Sequence, residues 1–195
     1  FNTITKILPS ILKLWTDILK QVPNSVLWLI SESDKVKNNL KKEFEKKNVD
    51  PKRIIFSNKV PISEHLARIK YADLFLDTFP YNAHTSCSDS IWAGLPLVTI
   101  QGESFQSRVA SSLLKTSDLK DLIAKNEKEY VDIAVNIAKN KNHLNHLKNK
   151  LINSRDANPL FDNKSFINNI EKAYSIVLEK YLEEKEVPFT PGRGL

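Results

Sequence analysis

The sequence has 195 residues, of which 41% are hydrophobic and 27% are charged, and its net charge is +6. A chain of this size and composition can bury a complete hydrophobic core, which excludes a disordered or fibrous protein. The lysines and arginines are scattered through helical patterns and form no basic stripe with interleaved aromatic residues, so we expect no nucleic-acid partner. No apolar stretch reaches the roughly 18 residues of a transmembrane helix, so we expect no membrane partner.

The cysteine and histidine content narrows the class of protein further. Cys87 is the single cysteine, so no disulfide can form within the chain, and we expect a reducing, cytoplasmic location. His143 and His146 lie three residues apart, but no third ligand is evident, so we expect no metal site. The sequence opens in mid-pattern at Phe1 without a methionine, and we expect it to be part of a longer protein.

The chain up to residue 115 alternates between helical and strand patterns. Helices are predicted over residues 10–21, 34–47, 63–71, 84–94 and 106–114, and strands over residues 25–30, 53–57, 74–76 and 96–99. Such alternation predicts an α/β fold with a doubly wound, Rossmann-like parallel sheet. We assign this sheet domain to residues 1–115.

Beyond Lys115 the pattern is helical only. Helices are predicted over residues 117–124, 127–139, 141–153 and 165–184. We expect residues 116–186 to form a helical flank packed on the sheet domain. Residues 187–195 contain two prolines and two glycines, and we expect them to form an extended or disordered tail.

The most informative stretch runs from residue 74 to residue 99. An apolar strand ends at Leu76, and a polar loop leads into a helix that begins near His84, because Thr85 and Ser86 favour the start of a helix. A helix start presents N–H groups and a positive dipole end, and ligands of open parallel sheets bind beyond the carboxyl ends of the strands. The stretch therefore predicts an anion site.

Four further side chains are expected near this anion site. Lys6, in the loop before the first helix, offers a movable cation to a pyrophosphate. Asp89 lies one turn into the helix and can accept hydrogen bonds from a ribose diol. His65 and Arg68 are three residues apart, so they share a helix face and can flank a base. The sequence has neither Gly-x-Gly-x-x-Gly nor a Walker lysine loop, which disfavours a dinucleotide-binding or ATP-hydrolysing site.

Several of these segments together resemble a known family of glycosyltransferases. They are Phe1-Asn2-x-x-x-Lys6, Val22-Pro23-Asn24-Ser25-x-Leu27-Trp28-Leu29, Arg53-Ile54-Ile55-Phe56, Glu64-His65, Ala72-Asp73-x-x-Leu76-Asp77-Thr78, His84-Thr85-Ser86-x-x-Asp89-x-x-Trp92-Ala93-Gly94-x-Pro96-x-Val98-Thr99 and Arg108-Val109-Ala110. Over about residues 1–180 the sequence resembles the C-terminal catalytic lobe of the O-GlcNAc transferase family, which includes SPINDLY-like proteins and bacterial homologues with tetratricopeptide repeats. The resemblance implies one lobe of a GT-B glycosyltransferase.

The resemblance also implies how the donor phosphates are held. Lys6 matches a family lysine that contacts the donor pyrophosphate, and we expect it to act as a catalytic residue by stabilising the leaving group. His84, Thr85 and Ser86 match a His-Thr-Thr segment whose helix-start amides hold the distal phosphate.

The nucleoside part of the donor is assigned in the same way. Asp89 matches the carboxylate that binds the ribose, and His65 matches the histidine packed against the uracil ring. Arg68 matches an arginine near the base, and Val60 lies where backbone groups bond the edge of the base.

Two departures from the family pattern bear on the donor. Ile62 replaces a ribose-contacting lysine of the animal enzymes, and Thr3 replaces a glutamine near the phosphates. The resemblance implies UDP-GlcNAc as the preferred donor, and GDP-fucose, which SPINDLY-like relatives use, stays open as the donor of a protein O-fucosyltransferase.

The resemblance implies that this chain is the donor-binding half of a protein O-glycosyltransferase, which transfers sugar with inversion to serine or threonine and needs no metal or other cofactor. The family's acid/base histidine and much of its acceptor pocket lie in an N-terminal lobe, and its peptide groove involves the tetratricopeptide repeats. None of these precedes Phe1, so we expect this chain to be inactive alone. The alternatives are a non-catalytic module that binds a nucleotide sugar or a protein, and a GT-B enzyme that acts on lipids or small molecules.

Overall fold

The computed structural model describes residues 4–182, which contain five β-strands and eight α-helices. The strands are β1 (Leu27–Ile30), β2 (Ile54–Ser57), β3 (Phe75–Leu76), β4 (Leu97–Ile100) and β5 (Ile123–Ala124). The helices are α1 (Pro9–Gln21), α2 (Asp34–Lys46), α3 (Ile62–Ile69), α4 (Thr85–Trp92), α5 (Val109–Thr116), α6 (Glu127–Lys139), α7 (Lys141–Ser154) and α8 (Asn163–Leu182).

The strands form two parallel sheets, with the orders β1-β2 and β3-β4-β5. Leu27 lies opposite Ile54 in the first sheet, and Phe75 lies opposite Leu97 in the second. All four residues of β4 are buried, as is typical of a parallel strand covered by helices on both faces. The α/β class and the parallel strands predicted from the sequence are confirmed.

Two helices pack together across one face of the strands and carry much of the core. Apolar residues of α1 at helical spacing are buried, including Ile11 and Trp15. The fully buried Tyr130 of α6 accepts a hydrogen bond from the Trp15 indole nitrogen at 3.3 Å and donates one to the Asp77 carbonyl at 2.8 Å. These bonds tie α1 and α6 to the end of β3.

No α-helix forms over the predicted range 117–124, and the expectation of helices only beyond residue 115 is wrong at residues 123–124. These residues form β5, in which Ile123 pairs with Thr99 of β4, after a short 3-10 turn over Lys120–Leu122. A two-residue strand is too short to show a period of its own, so its structure is determined by pairing with β4.

The helices after β5 differ in how they contact the rest of the chain. Residues of α6 and α7 are buried against the core, including Ile137 and Leu151. Every residue of α8 is exposed, among them Phe166 and Tyr174, so the packing expected of the flank is seen for α6 and α7 only. The division at residue 115 remains a prediction, and the expected tail over 187–195 lies outside the described residues.

Candidate donor-binding site

The loop between β3 and α4 is held by a buried carboxylate. Asp77, which is 1% exposed, follows β3 and accepts hydrogen bonds from the N–H groups of Thr78 and Ala83, each at 2.8 Å, and from the Thr99 hydroxyl at 2.7 Å. The Asn82 amide donates to the Thr78 carbonyl at 2.9 Å. Both ends of the loop are therefore bonded, and the start of α4 has a defined position beyond the carboxyl end of β3.

Lys6 reaches this loop from the 3-10 turn Ile4–Lys6. Its Nζ donates to the Asn82 carbonyl at 2.9 Å and lies 4.1 Å from the centroid of the Tyr81 ring. Partial burial lowers the pKa of the ammonium, and the charge of Asp77 opposes this effect. The structure thus places a cation against the loop that leads into α4.

The first turn of α4 follows His84, which is its N-cap. The His84 carbonyl accepts hydrogen bonds from the N–H groups of Cys87 and Ser88 at 2.9 and 3.2 Å. The N–H groups of Thr85 and Ser86 precede these bonds, and the geometry of an α-helix gives them no acceptor within the helix. Such a helix start favours an anion through its N–H groups and its dipole.

Aromatic side chains that were not predicted from the sequence surround His84. The His84 ring stacks on Tyr81 with centroids 5.2 Å apart and meets the edge of Phe105 at 5.9 Å. Its Nε2 lies 3.4 Å from the Gln106 carbonyl oxygen. The available signal was the presence of Tyr81 and Phe105 in otherwise polar loops, where large exposed aromatic side chains commonly serve binding.

His65 and Arg68 share one face of α3, as their spacing predicts. Arg68 Nε and Nη2 lie 3.3 and 3.1 Å from His65 Nδ1, and Nη1 donates to the Asn58 carbonyl at 2.8 Å. A guanidinium can only donate, so Nδ1 accepts, and the neutral ring carries its proton on Nε2. Arg68 therefore orients His65.

Asp89 extends from α4, which contacts α3. Partial burial raises the pKa of the Asp89 carboxyl, and the charge of His65 opposes this rise. The contact between α3 and α4 puts the Asp89 carboxylate and the His65 imidazole on neighbouring helices.

The remaining predicted positions lie around the start of α3. Val60 is half-buried in the segment that joins β2 to α3. Ile62, at the first position of α3, is 62% exposed, so the departure from a lysine here is a change on the surface beside the site. Thr3 lies outside the described residues.

The protonation of His65 leads to a prediction about how stability depends on pH. Burial and the neighbouring charge of Arg68 lower the pKa of His65 below its ordinary value of 6.5. The folded state then binds a proton less readily than the unfolded state, so the free energy of unfolding should fall as the pH falls through and below 6.5. Urea denaturation measures the free energy of unfolding at about pH 8 and at about pH 5. Between these two pH values it should fall less in His65→Gln than in the unchanged protein. An equal loss in both proteins would contradict this assignment.

The burial of Cys87 leads to a prediction about the reactivity of its thiol. Its position near a helix start could in principle lower the thiol pKa, but the side chain is fully buried. Burial, assisted by the charge of Asp77, instead raises the pKa of the thiol well above its ordinary value. Iodoacetamide should leave the native thiol unmodified near neutral pH and modify one thiol per chain in urea. Rapid modification of the native protein would show that the thiol is accessible.

Residues 4–182 contain no group of three or more histidine, cysteine, aspartate or glutamate side chains that could hold a metal ion. Over the same residues, no helix combines the length and the apolar character needed to cross a lipid bilayer.

The profile of glycosyl transferase family 41 matches residues 1–170 of this chain. The chain belongs to this family. The UDP-N-acetylglucosamine--peptide N-acetylglucosaminyltransferase of Caenorhabditis elegans is 38% identical over 181 residues, which are 93% of this chain and 16% of that protein. The probable SPINDLY transferase of Solanum lycopersicum is 33% identical over 187 residues, which are 94% of this chain and 20% of that protein.

A solved structure supports the same membership in family 41. A lysine-to-methionine mutant of the Thermobaculum terrenum O-GlcNAc transferase is 30% identical to this chain and superposes with a TM-score of 0.86. The match covers 89% of this chain and 34% of that chain. This family 41 chain thus spans about a third of the solved neighbour, and 16% and 20% of the two curated relatives above.

Proposed function

We propose that this chain is the donor-binding half of a protein O-glycosyltransferase that transfers N-acetylglucosamine from UDP-GlcNAc, with inversion, to serine or threonine. The observation that carries the proposal is the position of Lys6, whose ammonium lies against the loop that begins α4. A cation beside a helix start is suited to two linked phosphates. The names of the relatives, which specify UDP-N-acetylglucosamine and a peptide, support this choice of donor and acceptor.

Different residues would bind the diphosphate and the nucleoside of the donor. Lys6 and the N–H groups of Thr85 and Ser86 would stabilise the negative charge that develops on the diphosphate as the sugar leaves. His84 would fix the direction of that helix start through its contact with Tyr81. In this arrangement the ammonium and N–H groups of the chain itself stabilise the charge of the diphosphate. We therefore propose no metal or other cofactor.

The nucleoside would lie against α3. The neutral His65 ring, oriented by Arg68, offers a flat surface to the base, and the backbone at Val60 would bond the edge of the base. Asp89 would accept hydrogen bonds from the ribose hydroxyls. A carboxylate kept partly out of water makes stronger hydrogen bonds to hydroxyl groups than an exposed one.

The proposal extends to the rest of the full-length protein. The acceptor pocket and the acid/base group would come from an N-terminal lobe, and tetratricopeptide repeats would hold the protein acceptor, so this half alone would not transfer sugar. A cytoplasmic location is supported by the buried, unpaired Cys87.

The donor is tested by calorimetric titration of the full-length protein with UDP and GDP. We expect tighter binding of UDP, and Asp89→Asn should weaken it by about tenfold or more because a hydrogen bond to a charged acceptor is lost. Asp132→Asn, an exposed aspartate on α6, is the matched control and should bind as the unchanged protein does.

Other outcomes of this titration would change the donor, the role of Asp89 or the proposed activity. Tighter binding of GDP would replace the proposed donor with a GDP-sugar such as GDP-fucose. Unchanged UDP binding by Asp89→Asn would remove Asp89 from the site. Tight UDP binding by a full-length protein that transfers no sugar to peptides would favour the non-catalytic module.

A further inference from the structure

The candidate phosphate site is built from two segments that are distant in the sequence. Lys6 lies in the 3-10 turn before α1, and Thr85 and Ser86 lie in the first turn of α4. Two linked phosphates have a fixed length, so both segments can bind them well only if their separation is fixed too. The bond from Lys6 Nζ to the Asn82 carbonyl joins the segments. A lysine side chain is flexible, however, and makes such a bond over a range of backbone separations.

A second link between the two segments runs through the interior of the fold. The Tyr130 hydroxyl of α6 accepts a hydrogen bond from the Trp15 indole nitrogen at 3.3 Å and donates one to the Asp77 carbonyl at 2.8 Å. Trp15 belongs to α1, the helix that follows Lys6, and Asp77 begins the loop that leads into α4. One hydroxyl group is thus bonded to the elements that carry both halves of the candidate phosphate site.

This second link is short and shielded from water. Tyr130 is fully buried, and burial raises the pKa of its phenol well above its ordinary value, so the hydroxyl keeps the proton that it donates. The Asp77 carboxylate accepts a hydrogen bond from the Ala83 N–H at 2.8 Å. Ala83 directly precedes His84, the N-cap of α4. A displacement of Asp77 would therefore reach the first turn of α4.

We propose that Tyr130 is a positioning residue of the donor site, whose hydroxyl fixes the separation between Lys6 and the first turn of α4. Because Tyr130 is fully buried, it acts through Trp15 and Asp77. Supporting hydrogen bonds of this kind hold binding groups within about 0.5 Å of their productive positions. The inference rests on the proposed function, which puts the diphosphate between Lys6 and α4.

The test compares the binding of UDP and of uridine to the full-length protein. Tyr130→Phe keeps the buried ring and removes the hydroxyl together with both of its hydrogen bonds. We expect the Kd for UDP to rise by about fivefold or more, while the Kd for uridine, which has no phosphate, changes by less than about twofold. Calorimetric titration gives the Kd for UDP, and displacement of UDP by uridine gives the second value.

Thr16→Val is the matched control. The Thr16 hydroxyl is also buried, and it donates to the Leu12 carbonyl at 2.7 Å within α1. Its removal loses a buried hydrogen bond without affecting the loop before α4, so both Kd values should equal those of the unchanged protein. Both variants are titrated at a temperature at which melting curves show each of them to be folded.

The outcomes separate this inference from the proposed function. If folded Tyr130→Phe binds UDP as tightly as the unchanged protein does, the hydroxyl has no positioning role, and the proposed function stands. An equal rise of both Kd values, or an equal effect of Thr16→Val, would also overturn the inference, because the effect would then not depend on the diphosphate or on the link. If the unchanged protein does not bind UDP, the proposed function fails and the inference fails with it.

Discussion

Replacing Lys6 with alanine should reduce the rate of sugar transfer by the full-length protein by about 10²- to 10³-fold, the effect of removing one preorganised donor from a developing negative charge. The Lys6 ammonium lies 2.9 Å from the Asn82 carbonyl, directly before α4. Without this ammonium, only the N–H groups at the start of α4 would stabilise the charge on the diphosphate. Steady-state kinetics with a peptide acceptor measure this effect.

Lys13→Ala is the control for this substitution. Lys13 is also a lysine near the beginning of the chain, but it is exposed and forms a surface ion pair with Asp17, which contributes little to stability. It should transfer sugar at the unchanged rate. If Lys6→Ala retains full activity, or if it loses activity only because it unfolds, Lys6 has no role in the chemical step.

Replacing Asp77 with alanine should have the largest effect on stability. The buried carboxylate accepts hydrogen bonds from the N–H groups of Thr78 and Ala83 and from the Thr99 hydroxyl. Alanine leaves these three donors without their acceptor inside the fold, and we expect the free energy of unfolding to fall by about 3 kcal/mol or more. Urea denaturation followed by circular dichroism measures the loss.

Asp77→Asn separates hydrogen bonding from general packing at this position. Its Oδ1 can still accept from Thr78 and Ala83, while its amide can donate to the Thr99 hydroxyl oxygen. The asparagine variant should therefore lose clearly less stability than the alanine variant. Equal losses in the two variants would show that these hydrogen bonds do not hold the loop.

The sequence allowed the fold class and the start of α4 to be predicted because both have strong local signals. The apolar runs that became β1, β2 and β4 are bounded by helices with regular apolar spacing, and this alternation is typical of a parallel sheet. His84, Thr85 and Ser86 lie directly after such a run, so the helix start at the carboxyl edge follows from the order of the residues alone.

Other features depend on contacts between distant residues. The two residues of β5 are strand only because they pair with β4. The role of Arg68 in orienting His65 depends on a side-chain geometry that spacing alone does not specify. Asp77 belongs to a segment that resembles the family, but its carboxylate accepts hydrogen bonds from residues up to 22 positions away, and no sequence pattern specifies such partners.

The most direct test of the donor site is a crystal structure of the full-length protein grown with UDP. The proposed function predicts that the diphosphate lies at the start of α4, with Lys6 Nζ and the N–H groups of Thr85 and Ser86 within hydrogen-bond distance of its oxygens, and with Asp89 at the ribose. A diphosphate bound elsewhere, or a UDP that leaves the start of α4 unliganded, would contradict the site proposed for this chain.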